Sequence, residues 1–253
     1  MKIAISQPTY LPWIGYFDLI DQVDAFVLLD NVQFEKQSWQ QRNRIKTPTG
    51  LQWLTVPVLY RGRFGQLINE VEIRDIEFWR NHLRAIELNY RRAPFFDDYF
   101  EQLSVQIAAS TSSSPRIADL HLRLIEWFMD VLGIQTRLLL SSQLKQHGRR
   151  TELLANICAS LRAKEYVSPL GSADYLMQEM DVLLGRGINA VFQHYEHPQY
   201  RQLFPPFCPY ASILDLIFNK GEQALEILRS GRQSSFHPEE VTSDLFSMRV
   251  GAS

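Results

Sequence analysis

MKIAISQPTYLPWIGYFDLIDQVDAFVLLDN, residues 1–31, reads as a strand, a turn, a helix and a second strand. KIAIS at 2–6 and AFVLL at 25–29 are short apolar runs, rich in β-branched and aromatic residues and too short for helices. Such nearly continuous apolar runs belong in strands of a parallel sheet covered on both faces. Residues 7–12, with Pro8 and Pro12, read as a turn, and residues 13–21 as a helix. The second strand ends in the polar pair Asp30-Asn31.

Working outward, LQWLTVPV at 51–58 alternates as a third strand. Residues 77–90 have helical spacing, with Phe78, Leu83, Ile86 and Tyr90 sharing much of one face. Pro94 ends that helix, and a second is expected over 100–107. ASTSSS at 109–114 is the one low-complexity stretch and reads as an internal linker. Ser114 is placed to cap the next helix and Pro115 to open it. Ile117, Leu120, Leu124, Phe128 and Val131 form its apolar stripe, and Gly133 closes it. Strands are then expected at 136–140, 165–168 and 190–192, and helices at 151–161, 172–184 and 211–218. The alternation implies an α/β fold of Rossmann or HUP-like type, a mostly parallel sheet with helices on both faces and additional helices. One domain is expected over 1–231, with a loosely packed polar tail at 232–253.

The chain's 253 residues, 45 % hydrophobic and 21 % charged, suffice for one large core. No run is long and apolar enough for membrane insertion, and residues 1–8 lack the apolar stretch of a signal peptide. Two cysteines, Cys158 and Cys208, imply no disulfide framework and suit the cytoplasm. A net charge of −2 argues against a nucleic-acid partner. Only six of the 26 basic residues are lysine. That bias suits phosphate or carboxylate ligands, but an Arg-rich genome accounts for it more simply.

Polar and aromatic residues concentrate between Gln7 and Lys46. Gln7, Tyr10, Trp13 and Tyr16 follow the first strand and offer hydrogen-bonding tips and flat faces. Asp30, Gln33, Lys36, Arg42, Asn43 and Lys46 follow the second. Ligands of doubly wound sheets sit beyond the carboxyl ends of strands. Tyr10, Asp30 and Arg42 are therefore expected to line one crevice. On a helix, Arg42 and Lys46 would share a face as a phosphate clamp, or as a solvated face paired to Glu35 or Asp30. Ser168, Gly171 and Tyr175, after a later strand, form a second ligand-contacting turn, with Ser172 an N-cap on either reading. His194 and His197 have metal-like spacing but no third ligand nearby in sequence, so no metal is assigned. His197 is instead a candidate general base or hydrogen-bond partner of Tyr200, the remaining reading being an ordinary surface or satisfied histidine. Cys158 reads as inert core. Cys208, in a proline-rich loop without a nearby basic run, is not read as a nucleophile.

QPTYLPWIGYFDLID, DAFVLLDNVQFEKQSWQQRNRIKTPTG and WLTVPV resemble the N-terminal signature of the WbqC-like family. KEYVSPLGSADYL, FQHYEHPQY and SILDLIFNKG resemble its C-terminal blocks. The resemblance implies bacterial O-antigen and surface-polysaccharide biosynthesis, with glycine transfer to an amino sugar proposed for one branch. A second, looser likeness is to the layout of HIGH-type nucleotidylyltransferases, but residues 10–16 lack the two histidines of that motif.

The expected function is amide formation by aminoacyl (glycyl) or acyl transfer to an amino sugar. Asp30 or His197 takes the proton, Asn43 stabilises the oxyanion, Arg42 and Lys46 clamp phosphate, and Tyr10, Trp13 and Tyr16 form an aromatic platform. The one cofactor-like group foreseen is the nucleotide moiety of a sugar-nucleotide substrate. The alternatives are an ATP-dependent nucleotidyl or adenylate-forming ligase and a non-catalytic sugar-nucleotide-binding partner.

Overall fold

The computed structural model describes residues 1–241. Five parallel strands, β1 (Lys2–Ser6), β2 (Ala25–Leu28), β5 (Arg137–Leu140), β6 (Glu165–Ser168) and β7 (Asn189–Phe192), form one sheet in the order β5-β2-β1-β6-β7. β3 (Arg42–Thr47) and β4 (Gly50–Thr55) form a separate antiparallel hairpin. The helices are α1 (Ile14–Asp21), α2 (Trp79–Tyr90), α3 (Phe96–Ser113), α4 (Ile117–Leu132), α5 (Ser141–Leu144), α6 (Thr151–Ser160), α7 (Ala173–Gln178), α8 (Met180–Leu184), α9 (Ile213–Lys220) and α10 (Ala224–Ser230).

Successive strand residues point to opposite faces, and both faces are covered. Ala4, Phe26, Leu28, Val167 and Val191 join a core with α1, α2, α3, α4, α9 and α10. Ile3, Ile5, Ala25, Val27, Tyr166, Ala190 and Phe192 join another with α6, α7 and α8. This is the expected α/β fold. Within the sheet the chain visits positions in the sense 3-2-1-4-5, so the order reverses between β1 and β6. Loops leaving the carboxyl ends of those strands flank the crevice where doubly wound sheets bind ligands.

Several local expectations need correction. Residues 109–113 are not a linker but the last turn of α3. The hydroxyls of Thr111, Ser112 and Ser113 donate to carbonyls three or four residues back, so this serine-rich stretch stays helical. The next helix starts at Ile117, because Ser114 Oγ accepts the Arg116 N–H in a turn ahead of it. Gly133 closes α4 in the left-handed conformation, φ 74°. Residues 42–47 are strand β3, not the helix on which Arg42 and Lys46 would share a face at i,i+4, and the strand expected from the alternating run at 51–58 is its antiparallel partner β4. Residues 172–184 form two short helices after a 3₁₀ turn at Leu170–Ser172. The described part of the tail, 232–241, makes some contacts with the body. Arg232 bonds Asp18, and Phe236 pairs with Phe192 at the edge of β7. Residues 242–253 lie outside the described residues.

Candidate functional site

The turn after β1 is fixed on both sides. Tyr10 N–H donates to Trp39 O (3.0 Å), and Gln40 Nε2 donates to Gln7 Oε1 (2.8 Å). Leu11 takes the left-handed conformation, φ 45°, which costs a non-glycine residue about 1–2 kcal/mol. Asn43 of β3 holds it there, donating from Nδ2 to Leu11 O (2.8 Å). The loops after the first two strands therefore meet, as expected.

Their side chains sort differently. Tyr10 is fully buried, bonded to His82 Nδ1 (2.8 Å). Burial pushes its phenol far above the ordinary range, so the phenol keeps its proton. Tyr16 is also core, donating to Gln7 O. Asp30, 3 % exposed, accepts from Ser142 N (2.9 Å), Ser142 Oγ (2.6 Å) and Ser141 Oγ (2.9 Å), tying the exit of β2 to α5. Tyr10 and Asp30 thus spend their polar atoms on internal hydrogen bonds, whereas Arg42 sits over the Trp53 ring. Asn43, with its carboxamide bonded to Leu11 O and Arg44 N, is built into the turn. Gln33 bridges to Leu67, and the Lys36 ammonium sits over the Tyr60 ring at 3.9 Å.

What the turn presents outward is Trp13. Gly15 makes room for it: a Cβ there would meet the Trp13 ring at 2.2 Å. The indole stacks on His197 (6.2 Å, 20°) and contacts Tyr195 and Tyr210. His197 Nδ1 lies 2.9 Å from Pro198 O, an acceptor only, so Nδ1 carries the proton. Nε2 is then a lone pair, buried and without a hydrogen-bond partner among the described residues. Burial lowers the His197 pKa, which keeps the ring neutral. His194 faces elsewhere, stacked on Phe236 at 4.1 Å. No cluster of three or more His, Cys, Asp or Glu suited to a metal occurs among the described residues.

Beside this lies the hairpin. In a strand Arg42, Arg44 and Lys46 share one face, because side chains alternate. Trp53, directly opposite Arg44, shares it too. Arg42 sits 4.2 Å over the Trp53 ring, and Arg44 lies 5.2 Å from both Trp39 and Trp53. Neither arginine has a carboxylate within ion-pair distance among the described residues. Arg42 Nε and Arg44 Nε and Nη2 are buried with no hydrogen-bond partner. Burial, and then the adjacent Arg42 charge, pull Arg44 below the usual guanidinium range. Two half-buried cations with unbonded buried nitrogens over an indole pair are an arrangement suited to an anion bearing a flat group.

Lys46 does not join Arg42 as a clamp. It is 1 % exposed, and its Nζ bonds Cys208 Sγ at 3.2 Å. Its backbone N–H donates to Tyr90 OH, which donates to Asp215 Oδ1 (3.0 Å). Asp215 also accepts from Tyr200 OH and Gln202 Nε2, both at 2.8 Å, and burial raises its carboxyl pKa. Sequence reasoning missed Arg44, Trp53 and the Lys46–Cys208 pair. The unused signal was Thr47-Pro48-Thr49-Gly50, a two-residue hairpin loop that sets the strand register.

The turn after β6 forms a separate cluster. Ser168 is buried, its Oγ donating to Pro169 O (3.2 Å), while Gly171 is exposed. Tyr175 lies under the Arg150 guanidinium at 5.5 Å. Two surface grooves lie elsewhere, one of about 390 Å³ between α3 and α4 and one of about 540 Å³ around Arg63 and Glu70.

The sequence pattern of the WbqC-like protein family matches residues 7–227, covering the Gln7–Trp13 turn, the hairpin and the His197–Cys208 loop. The chain belongs to the WbqC-like family. An uncharacterized protein of Mycobacterium tuberculosis (strain ATCC 25618 / H37Rv), Rv1507c, is 40 % identical to this WbqC-like protein over 232 residues, 92 % of this chain and 99 % of that one. No solved structure matches. Among the described residues of this WbqC-like protein, no helix is long and apolar enough to cross a membrane.

Proposed function

We propose that this WbqC-like protein is a transferase of surface-polysaccharide biosynthesis. It forms an amide by aminoacyl (glycyl) or acyl transfer to an amino sugar carried as a sugar nucleotide. The observation that carries the reading is the pair Arg42 and Arg44, with unpaired buried guanidinium nitrogens over Trp39 and Trp53. A diphosphate supplies the missing acceptors, and the indoles supply faces for a base or sugar ring. His197 Nε2 is the proton acceptor for the attacking amine.

Titration with a UDP-amino sugar, followed by mass spectrometry after adding activated glycyl and acyl donors, tests this. Binding and a product heavier by the acyl group are expected. His197→Ala should lower turnover by about 100-fold while leaving affinity nearly unchanged. Absence of both binding and product would remove the reading. The sheet order with its crevice also suits an ATP-using ligase. Pyrophosphate release dependent on amino sugar and amino acid would favour that instead.

A further inference from the structure

The Lys46 ammonium is almost wholly buried, and its one hydrogen bond among the described residues goes to a thiol, not a carboxylate. A buried cation costs several kcal/mol unless anions compensate it. The Asp215 carboxyl feels the Lys46 charge, and the Cys208 sulfur lies 3.2 Å from the same ammonium, placed to be a second anion. The thiol is also held in place. Cys208 N–H donates to Gln202 Oε1 (2.8 Å) and Cys208 O accepts from Gln202 Nε2 (2.9 Å), while Gln202 is itself bonded to Asp215. Unlike core Cys158, whose thiol burial pushes up to about 12, Cys208 is half-buried. The adjoining face is set for an acyl-transfer substrate. Arg44 lies two residues before Lys46 on the same side of β3, and the His197 ring packs on Phe207 and Tyr210, which flank Cys208 in sequence.

We propose that Cys208 is the acyl-accepting nucleophile of this protein, with Lys46 the positioning residue that stabilises its thiolate. The inference rests on the amide-forming reading above. The sulfur adds to the carbonyl carbon of an activated acyl or aminoacyl ester or thioester. A C–S bond forms, the bond to the leaving oxygen or sulfur breaks, and that group departs with the proton the thiol gave up. The acceptor's amine nitrogen then adds to the thioester carbon. A C–N bond forms, the C–S bond breaks, and the sulfur leaves as thiolate beside Lys46. The amine proton passes to His197 Nε2 and on to water.

The test uses two probes on the full chain. 4-Nitrophenyl acetate should place one hydroxylamine-labile acetyl group on Cys208, located by peptide mass spectrometry, with Cys158 unlabelled as the internal control. Iodoacetamide should alkylate Cys208 about tenfold more slowly in Lys46→Met at neutral pH. The pH of half-maximal alkylation should move upward in that variant, which a merely structural lysine would not cause. An acetyl group elsewhere or nowhere, or an unmoved pH profile in folded Lys46→Met, overturns the proposal. Should Lys46→Met fail to fold, the acetylation site in the unaltered chain decides alone. An adduct at Cys208 without amide formation leaves this inference standing and removes the functional reading. Amide formation that survives Cys208→Ala does the reverse.

Discussion

All four residues of β2 are apolar and buried, whereas three of the six residues of β3 are basic. In the sheet, alternate side chains feed two cores and every strand has a parallel neighbour. In the hairpin, Asn43 and Ile45 face the body of the protein while Arg42, Arg44 and Lys46 line the other side. That side gathers positive charge, and among the described residues neither arginine has an ion-pair partner, while Lys46 has the Asp215 carboxyl acting on it. A desolvated guanidinium without acceptors weakens a fold. The sheet residues are thus chosen for stability. The hairpin residues fit the proposed function, in which an anion arrives from outside.

The largest effect should come from the sheet. Phe26 is fully buried and packs edge-on against Tyr16 at 5.4 Å. Phe26→Ala leaves a cavity between α1 and the sheet, and should cost about 3–5 kcal/mol in denaturant unfolding. A loss below about 1 kcal/mol would mean that this face of the sheet is not the stabilising core.

Acid should separate the two regions. Burial lowers His82 to about 4 and His121 to about 3, from 6.5. Both rings sit against the hairpin segment rather than the sheet, His82 by the backbone of Thr55 and His121 by that of Gln40. A histidine whose folded pKa is depressed stabilises the protein fully above 6.5 and loses that contribution as pH falls toward the folded value. Each ring should cost about 2 kcal/mol between pH 6.5 and 5. Asp18 and Asp215, raised by burial, act in the opposite sense, adding stability as pH falls through their raised folded values toward the ordinary 3.8. Hydrogen exchange at pH 5 should therefore quicken in residues 40–55 before β1 and β2. Uniform quickening would erase the distinction.

The same contrast explains what the sequence disclosed. Strands such as KIAIS and AFVLL were legible because burial on both faces leaves only apolar choices. RNRIKT was not, because its single apolar residue, Ile45, sets no period, and i,i+4 spacing fits one face of a helix or of a strand. Serine-rich 109–113 read as a linker because back-bonding of its hydroxyls depends on a helix already present. In the site, Gln7, Trp13 and Arg42 were found as local polar density. Asp30 was noted at a strand end, but its partners Ser141 and Ser142 lie over a hundred residues on and turned it from candidate base to structural tie. The Lys46–Cys208 contact spans 162 residues and has no local signature.

The smallest effect on stability should come from Arg44→Met, the sharpest test of the comparison. Methionine keeps an unbranched apolar stem against Trp39 and Trp53 while removing a charge with no internal partner. Unfolding free energy should stay within about 1 kcal/mol of the parent, with any change leaning toward gain, because desolvation is relieved and no bond is broken. Affinity for a UDP-amino sugar should fall at least about tenfold, since a hydrogen bond to a charged group contributes about 1.5–3 kcal/mol. The opposite pattern, a large loss of stability with affinity intact, would make Arg44 a structural residue and leave the hairpin no different from the sheet.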